Sequence, residues 1–177
     1  MKVTFLVLFA ALLIGCDAGT PAYSEADKEP GMFSKRQKQT YVISSPMEGA
    51  LMKDGKPLTN TKIVRSIRWT GRDDRLEQEF MTDEKGRFSL PVHEEKLSIG
   101  RFTEFACTTF LEVVVEGRQF DIWFNSKFHP DIYAETEGRP LADLVCDLGN
   151  EEVTVRPGAS MITTVCRWKD MPEESEY

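Results

Sequence analysis

Short hydrophobic runs separated by turn-forming residues occupy most of the chain beyond residue 40. In residues 76–81, Leu76, Gln78 and Phe80 alternate with glutamates, and a period of two places alternate side chains on one face of a strand. The runs are rich in β-branched and aromatic residues and end at Gly, Pro, Asn or Asp, which is typical of strands joined by tight turns. Strands are predicted at residues 47–52, 61–70, 76–81, 87–91, 110–115, 120–124, 141–148, 153–156 and 161–168.

Two turns in this series predict β-hairpins. Glu116-Gly117-Arg118 and Gly149-Asn150 each separate two apolar runs, and short turns of this kind join antiparallel strands. Residues 93–105 form the segment in which we expect a helical turn. About seven to nine strands with this spacing predict an all-β fold, an antiparallel β-sandwich.

The first fifteen residues have the composition of a secretory signal peptide. Lys2 is followed by an apolar run through residue 13, and Gly15 precedes Cys16. The run is shorter than the roughly 20 apolar residues that a membrane-spanning helix needs. Leu13-Ile14-Gly15-Cys16 resembles the bacterial lipobox. The resemblance implies cleavage before Cys16, lipidation of that cysteine, and a lipid anchor at the bacterial cell envelope with the domain facing the periplasm.

The chain divides into four parts on this interpretation. Residues 1–15 are the signal peptide, and residues 16–40 are the lipidated N-terminus and a flexible tether, which is polar and broken by Gly and Pro. Residues 41–169 form the β-sandwich domain, and residues 170–177 form an acidic tail that we expect to fray. Asp17 resembles the signal that retains lipoproteins in the inner membrane of enteric bacteria, and the choice between inner and outer membrane stays open.

Two segments resemble carboxypeptidase regulatory-like domains, which are transthyretin-like β-sandwiches. Residues 54–58 read Asp-Gly-Lys-Pro-Leu, like the turn after the first strand of those domains. Residues 82–90 read Thr-Asp-Glu-Lys-Gly-Arg-Phe-Ser-Leu, like a later turn. There Gly86 permits a positive φ, and Phe88 and Leu90 share one face of the next strand. The resemblance covers residues 49–91 and implies a fold rather than an activity.

The charge and the motifs exclude several classes of function. The net charge is −7, and an acidic chain without a large cluster of Lys and Arg is not expected to bind nucleic acid. The chain has 2 histidines and lacks Cys-x-x-Cys and His-x-x-x-His spacings, so we expect no metal. It also lacks a nucleophile elbow, a P-loop and a dinucleotide fingerprint. We therefore predict a protein without catalytic residues, cofactor or enzymatic activity.

Three cysteines follow Cys16 in the chain. In an oxidising periplasm we expect one disulfide among Cys107, Cys146 and Cys166. Cys146 and Cys166 share strand faces with apolar residues, so both are predicted to point inward, and a bridge between facing sheets would join them. Strands that flank a common neighbour in one sheet would lie too far apart. Cys146–Cys166 is the preferred pairing, the two pairings with Cys107 stay open, and the third thiol is expected to be buried and inert.

Arginine and aromatic residues form the candidate partner-binding site. Trp69 stands between Arg68 and Arg72 at the end of a predicted strand, and Trp with Arg is the composition of interface hot spots. The loop containing Phe128 and His129 is the second candidate, because loops are what a sandwich presents to partners. The alternative interpretation is that Trp69 packs in the core and the loop is only a connection.

These features together favour a protein-binding lipoprotein. Small envelope lipoproteins of this kind resemble immunity proteins that neutralise effectors of the type VI secretion system, especially phospholipases acting at the periplasmic face of the membrane. The resemblance implies a protein partner, such as a secreted lipase or toxin, that is blocked by occlusion. The alternatives are an adaptor or assembly lipoprotein of an envelope machine, and a carbohydrate-binding or hydrolytic module that uses carboxylates and exposed aromatic residues.

Overall fold

The computed structural model describes residues 38–175, and these residues form an all-β sandwich, as predicted. Within this range there is a short 3₁₀ helix at Ala134–Thr136, and no helix is long and apolar enough to cross a bilayer. The signal peptide, Cys16, most of the tether and residues 176–177 lie outside the described residues. The strands are β1 (Gln39–Ser44), β2 (Met47–Lys53), β3 (Lys56–Pro57), β4 (Lys62–Trp69), β5 (Leu76–Met81), β6 (Arg87–Leu90), β7 (His93–Leu97), β8 (Cys107–Val115), β9 (Arg118–Lys127), β10 (Val145–Asp147), β11 (Val153–Val155), β12 (Met161–Thr164) and β13 (Cys166–Arg167).

Two sheets form the layers of the sandwich. The large sheet has six antiparallel strands in the order β11-β12-β9-β8-β4-β5. The small sheet is built around β2, which pairs with β6 and β3 along one edge and with β10 along the other, and β13 pairs with β10. Because β10 runs parallel to β2, the prediction of a wholly antiparallel sandwich is wrong at this one pair among the described strands.

Proline residues divide what would otherwise be one long strand pair. β1 and β7 form a two-stranded ribbon that continues the pairing of β2 with β6, and Ser44 pairs with His93 next to the break. Pro46 and Pro91 stand at the break, one on each stretch of chain, and proline has no N–H to donate across a ladder. Division of long strands in this way raises the number of strands above the predicted seven to nine. The helical turn expected in residues 93–105 is wrong, because β7 is a strand there.

One of the two predicted hairpins is present. β8 and β9 pair through the turn at Glu116 and Gly117, both of which have positive φ. The hairpin predicted at Gly149-Asn150 is wrong, since β10 belongs to the small sheet whereas β11 pairs with β12 in the large sheet. The chain between them passes from one layer to the other.

The last predicted strand also changes layer, at Val165. Its first half is β12, which pairs with β9 up to Thr164, and its second half is β13 in the small sheet. A bulge in β9 turns the carbonyl of Ile122 toward the crossing point, where it accepts hydrogen bonds from the Thr164 hydroxyl (2.7 Å) and the Val165 N–H (3.3 Å). The crossing places Cys166 directly opposite Cys146.

Cys146 and Cys166 form a disulfide, which is the pairing that we preferred from the sequence. Both are fully buried, as their shared faces with apolar residues predicted. The reason that we gave for the pairing is wrong, however, because the two cysteines lie on adjacent strands of one sheet and not on facing sheets. Among the described cysteines, Cys107 remains free and buried.

Two groups of buried apolar side chains pack against the inward face of the large sheet. The larger group lies toward the small sheet and includes Leu51, Leu111 and Trp123, and the smaller group includes Ile43 and Phe105. Arg65 projects from the same face of β4 as Ile63 and Ile67, which belong to the larger and the smaller group respectively.

Arg65 is 1% exposed and satisfies polar groups left by the break in the ribbon. Its Nη1 donates to the carbonyl of Pro91 (2.7 Å), and its Nε and Nη2 donate to Oε1 of Gln78 (2.9 and 2.6 Å). Its guanidinium also lies 5.1 Å from the ring centre of Phe80. Burial lowers the pKa of Arg65 to about 10, so the side chain stays charged at neutral pH.

The two segments that resemble carboxypeptidase regulatory-like domains meet in space. The Thr82 hydroxyl donates to the carbonyl of Leu58 (2.6 Å), and the Asp83 carboxylate accepts two backbone N–H groups of its own turn. A Cβ on Gly86 would lie 3.0 Å from Cβ of Pro57, and the φ of +73° at Gly86 is one that glycine adopts readily. These residues therefore build a turn, and Asp83 also lines an open cleft of about 730 Å³ with Glu48 and Asp143.

The acidic tail contacts the domain at Ser175. Its N–H and its hydroxyl both donate to the carbonyl of Thr154 on β11 (2.9 and 3.0 Å). The tail therefore covers part of the outer edge of the large sheet, and the expectation that it would fray is wrong up to this residue.

Candidate partner-binding site

The two candidate segments lie at the same end of the large sheet. Trp69 on β4 is opposite Cys107 on β8, and Cys107 is opposite Lys127 on β9. Neighbouring strands are separated by about 4.8 Å, so the ends of β4 and β9 are about 10 Å apart. We call this region the loop end and define it as residues 68–73, 96–106 and 127–133.

The described chain also begins at the loop end. Gln39 pairs with Leu97 at the start of the loop that leads to β8. The ring of Tyr41 lies 5.2 Å from that of Phe105, and the Val42 N–H donates to the carbonyl of Pro130 (2.9 Å). β1 therefore connects the loops of this end and leads the chain into the domain there.

Trp69 is not an exposed anchor. It is 5% exposed and packs in the smaller buried group, because it shares the inward face of β4 with Ile67. One neighbour of its indole is His93, with the ring centres 5.6 Å apart. Another is the guanidinium of Arg72, 4.9 Å from the ring centre. The alternative interpretation of Trp69 as a core residue is the one that the structure shows, and Trp69 acts as the support for Arg72.

Arg68 and Arg72 border an open cleft of about 430 Å³, which is lined by residues 68–73 and 106–108. Arg68 is exposed on the outward face of β4 and has no hydrogen bond or ion pair within the described part of the chain. Arg72 donates from Nη2 to Asp74 (3.0 Å), and its Nε is buried without an acceptor among the described residues. The two guanidiniums give the cleft a rim of donors that suits carboxylate or carbonyl oxygens.

The second candidate loop presents apolar side chains from a fixed backbone. Phe128 is 50% exposed, His129 is exposed, and the structure adds Ile132, which is 47% exposed. The Tyr133 N–H donates to Oγ of Ser45 (2.8 Å), which ties the loop to the chain after β1. The loop thus offers apolar side chains without being a free segment.

A buried ion pair holds the base of this loop. Lys127 is 0% exposed, and its Nζ lies 3.3 Å from Oε2 of Glu135, which is 8% exposed. The same Nζ donates to the carbonyl of Asp131 (3.1 Å). Sequence analysis missed this pair, because a lysine at the end of a strand and a glutamate in a turn are ordinarily both solvated.

Phe102 is the other residue of the loop end that sequence analysis missed. It is 98% exposed, at the tip of a turn in which the Thr103 N–H donates to the carbonyl of Gly100 (2.9 Å). Arg101 next to it and Lys96 on β7 are exposed as well. The segment was predicted to hold a helical turn, and a lone Phe in such a segment gives no sign that it points into solvent.

The thiol of Cys107 has no features of a nucleophile. Cys107 is 2% exposed, and its Sγ donates to the carbonyl of Ile43 (3.1 Å). Burial raises the pKa of the thiol to about 12, although Lys127 opposes the increase. Because the thiolate is the reactive form, a thiol with this pKa is inert at neutral pH.

The histidines do not build a catalytic site with this thiol. The side chain of His93 is half-buried, with Nε2 3.3 Å from Oε1 of Glu95, and burial lowers its pKa despite the opposing effect of Glu95. His129 lies on the exposed loop. Within residues 38–175, no group of three or more His, Cys, Asp and Glu residues is placed to hold a metal ion.

The tryptophans do not form a surface for sugars. Trp69 and Trp123 are buried, and Trp168 packs against Trp123 with ring centres 5.7 Å apart. Tyr41 and Tyr133 are only partly exposed. In the part of the chain that the structure describes, no row of exposed Trp and Tyr lies along a sheet face, which is the feature that a carbohydrate-binding module would need.

Comparison with known proteins gives one match. The family model described as "Domain of unknown function (DUF6795)" matches residues 47–151, which run from β2 past the end of β10 and include the exposed residues of the loop end. Neither the curated proteins nor the solved structures contain a match. Since the matched residues make up more than half of the chain, this protein belongs to the DUF6795 family.

Proposed function

We propose that this chain is a lipid-anchored protein of the bacterial envelope that binds a protein partner through its loop end. More specifically, we propose that it is an immunity protein that blocks a secreted phospholipase by occlusion. The observation that supports this most is the placement of Arg68, Arg72, Phe128 and Ile132 at one end of a single sheet. Arg and aromatic side chains on a fixed scaffold are the usual anchors of protein interfaces.

Preorganisation of this surface also supports binding. Arg72 is stacked on a buried indole, and the Phe128 loop is held by the Lys127–Glu135 pair. Side chains and loops that are already ordered lose less conformational entropy on association. A stable complex of ordinary size buries about 1,600 Å², about half of it on each partner, so the partner would have to cover the cleft and the loop of residues 127–133 together.

The charge and the chemistry of the domain fit an inhibitor that acts without a reaction of its own. The guanidiniums of Arg68 and Arg72 at the loop end would suit an acidic surface of an effector. The buried Cys107 thiol, whose pKa burial raises to about 12, offers no activated nucleophile. Steric occlusion of the effector's active site needs no catalytic group in the inhibitor.

Co-expression with a candidate effector tests the proposal. Cells that direct a candidate phospholipase effector to the periplasm should survive only when they also make the full-length lipoprotein, and the purified protein should inhibit the enzyme at a 1:1 ratio. Arg68→Glu combined with Phe128→Ala should abolish protection. Val114→Ala, which changes an exposed apolar residue near the other end of β8, should retain it.

Two results would contradict the proposal. If cells survive without the lipoprotein, the protein is not an immunity protein against that effector, and the adaptor role becomes the favoured alternative. Turnover of a lipid or glycan substrate by the purified chain would show that it is an enzyme.

A further inference from the structure

The most exposed apolar side chain of the described domain lies where the chain enters it. Phe102 is 98% exposed, whereas the other large exposed apolar residues within 38–175 retain between 39 and 57% exposure. Its turn follows β7, whose last residue Leu97 pairs with Gln39, the first residue of β1. A side chain held in solvent to this degree contributes nothing to the core and is free to contact another surface.

Exposed cations lie in the loop of Phe102 and at the chain entry, although the chain as a whole is acidic. Arg101 precedes Phe102, Lys96 is on β7, and Lys38 precedes Gln39, which pairs with Leu97, whereas Glu104 is the exposed carboxylate of the same loop. Residues 96–100 line an open cleft of about 350 Å³ together with Thr70, Gly71 and Thr103, which places Lys96 beside the turn.

We propose that the loop end faces an anionic lipid surface, with Phe102 inserted at the boundary between headgroups and acyl chains. Lys38, Lys96 and Arg101 would contact the headgroups, since their long aliphatic stems allow the charged ends to reach phosphate while the stems lie against apolar groups. The inference rests on the proposed lipid anchor at Cys16 and not on the identity of the protein partner. Acyl chains combined with a basic, aromatic surface patch are two signals that together give stable membrane binding.

The position of the chain entry favours lipid over a protein pocket for Phe102. An anchor at Cys16 reaches the domain through residues 17–37, which join it at Lys38 beside the Phe102 turn. The same orientation places Arg68 and Phe128, at the loop end, close to the level of the bilayer. A phospholipase must work at that level, so the inhibitor and its partner would meet there.

Quenching by brominated lipid tests the orientation directly. The full-length lipidated protein and its Phe102→Trp variant are reconstituted in vesicles of phosphatidylethanolamine and phosphatidylglycerol, with and without brominated acyl chains. The emission added by the tryptophan introduced at position 102 should fall by at least half in the brominated vesicles. Val114→Trp is the matched control, because Val114 is 55% exposed and lies about 23 Å along β8 from Cys107 at the loop end. Its added emission should be the same in both kinds of vesicle.

The results separate this inference from the anchor on which it rests. A chain that does not float with vesicles would overturn the anchor, and the inference with it. A Phe102→Trp chain that floats but whose added emission is unquenched would overturn only the orientation. If Phe102→Ala then abolished protection against the effector, Phe102 would be assigned to a pocket of the protein partner. A charge reversal, Lys96→Glu with Arg101→Glu in the Phe102→Trp background, should lower the quenching at least twofold in vesicles that contain phosphatidylglycerol.

Discussion

Asp147 fixes a turn that lies far from it in the sequence. Its Oδ1 accepts hydrogen bonds from the N–H groups of Asp54 (2.9 Å) and Gly149 (2.9 Å), and its Oδ2 accepts one from Gly55 (2.8 Å). Burial by itself raises the pKa of Asp147, but the three N–H groups together outweigh burial, so the pKa lies below its ordinary value. The carboxylate thereby ties the turn between β2 and β3 to the end of β10.

Asp147→Asn should lower the free energy of unfolding at pH 7 by about 1–3 kcal/mol, because an amide NH₂ would face backbone donors. The folded-state pKa is depressed, so the ionised carboxylate stabilises the fold above the unfolded pKa of roughly 3.9 and loses this effect as the pH falls below it. In urea unfolding, the difference between wild type and variant should therefore be smaller at pH 3 than at pH 7. Asp121→Asn, at an exposed residue of β9 whose side chain has no hydrogen bond within the described part of the chain, should have no effect at either pH. A pH-independent difference would contradict the argument.

The Lys127–Glu135 pair is the second residue-scale feature with a measurable consequence. Glu135→Ala should cost about 3–5 kcal/mol of stability, because it leaves the ammonium of Lys127 buried without its countercharge. Lys127→Met combined with Glu135→Leu should recover most of that loss, since two apolar side chains replace two buried charges. Thermal and urea unfolding of the single and the double variant give the comparison. Equal losses in both would mean that the cost of Glu135→Ala does not come from the uncompensated charge of Lys127.

At the scale of single elements, local pattern predicted strands well and their partners poorly. β5 has the bounds that alternation predicted. Trp69 was chosen as an anchor although it shares the phase of Ile63 and Ile67 on the inward face of β4. The Gly149-Asn150 turn looked like a hairpin because a turn signal is local, whereas the partner of β10 is selected by long-range packing against β2. β7 was missed because its exposed glutamates and lysine hide a strand that is covered on one side only.

The disulfide links two elements, β13 and β10. It lies next to Val165, where the chain passes from the large sheet to the small sheet. Its sequence separation is 20, and a loop of that size corresponds to about 3 kcal/mol in the loop-entropy model. Cys146→Ala with Cys166→Ala should lower the free energy of unfolding by about this amount, and reduction of the wild type should do the same. Cys107→Ala should cost less, because it removes no cross-link. Non-reducing peptide mapping of periplasm-derived protein should show the Cys146–Cys166 peptide, and three free thiols would contradict it.

At the scale of the whole molecule, the loop end arises from long-range register. Residues 68–73, 96–106 and 127–133 are far apart in sequence and meet because Trp69, Cys107 and Lys127 stand opposite one another on β4, β8 and β9. The residue types of the candidate site could be selected from the sequence, but their meeting could not, since no local signal sets the pairing of these strands. The exposure of Phe102 depends on the same assembly.

A lipid anchor at Cys16 would decide where this end of the molecule acts, and it gives the last prediction. Lipidation at Cys16 predicts that mass spectrometry of membrane-extracted protein will find an acylated N-terminal cysteine. Cys16→Ser should move the protein from the membrane to the soluble fraction, because one basic and aromatic patch without acyl chains binds membranes only marginally. Its urea midpoint should be unchanged, since residue 16 precedes the first strand at Gln39 and the paired core lies beyond it. A wild-type protein that is soluble and begins at another residue would contradict lipidation at Cys16. A Cys16→Ser variant that stays in the membrane fraction would show that the domain binds the bilayer without the acyl chains.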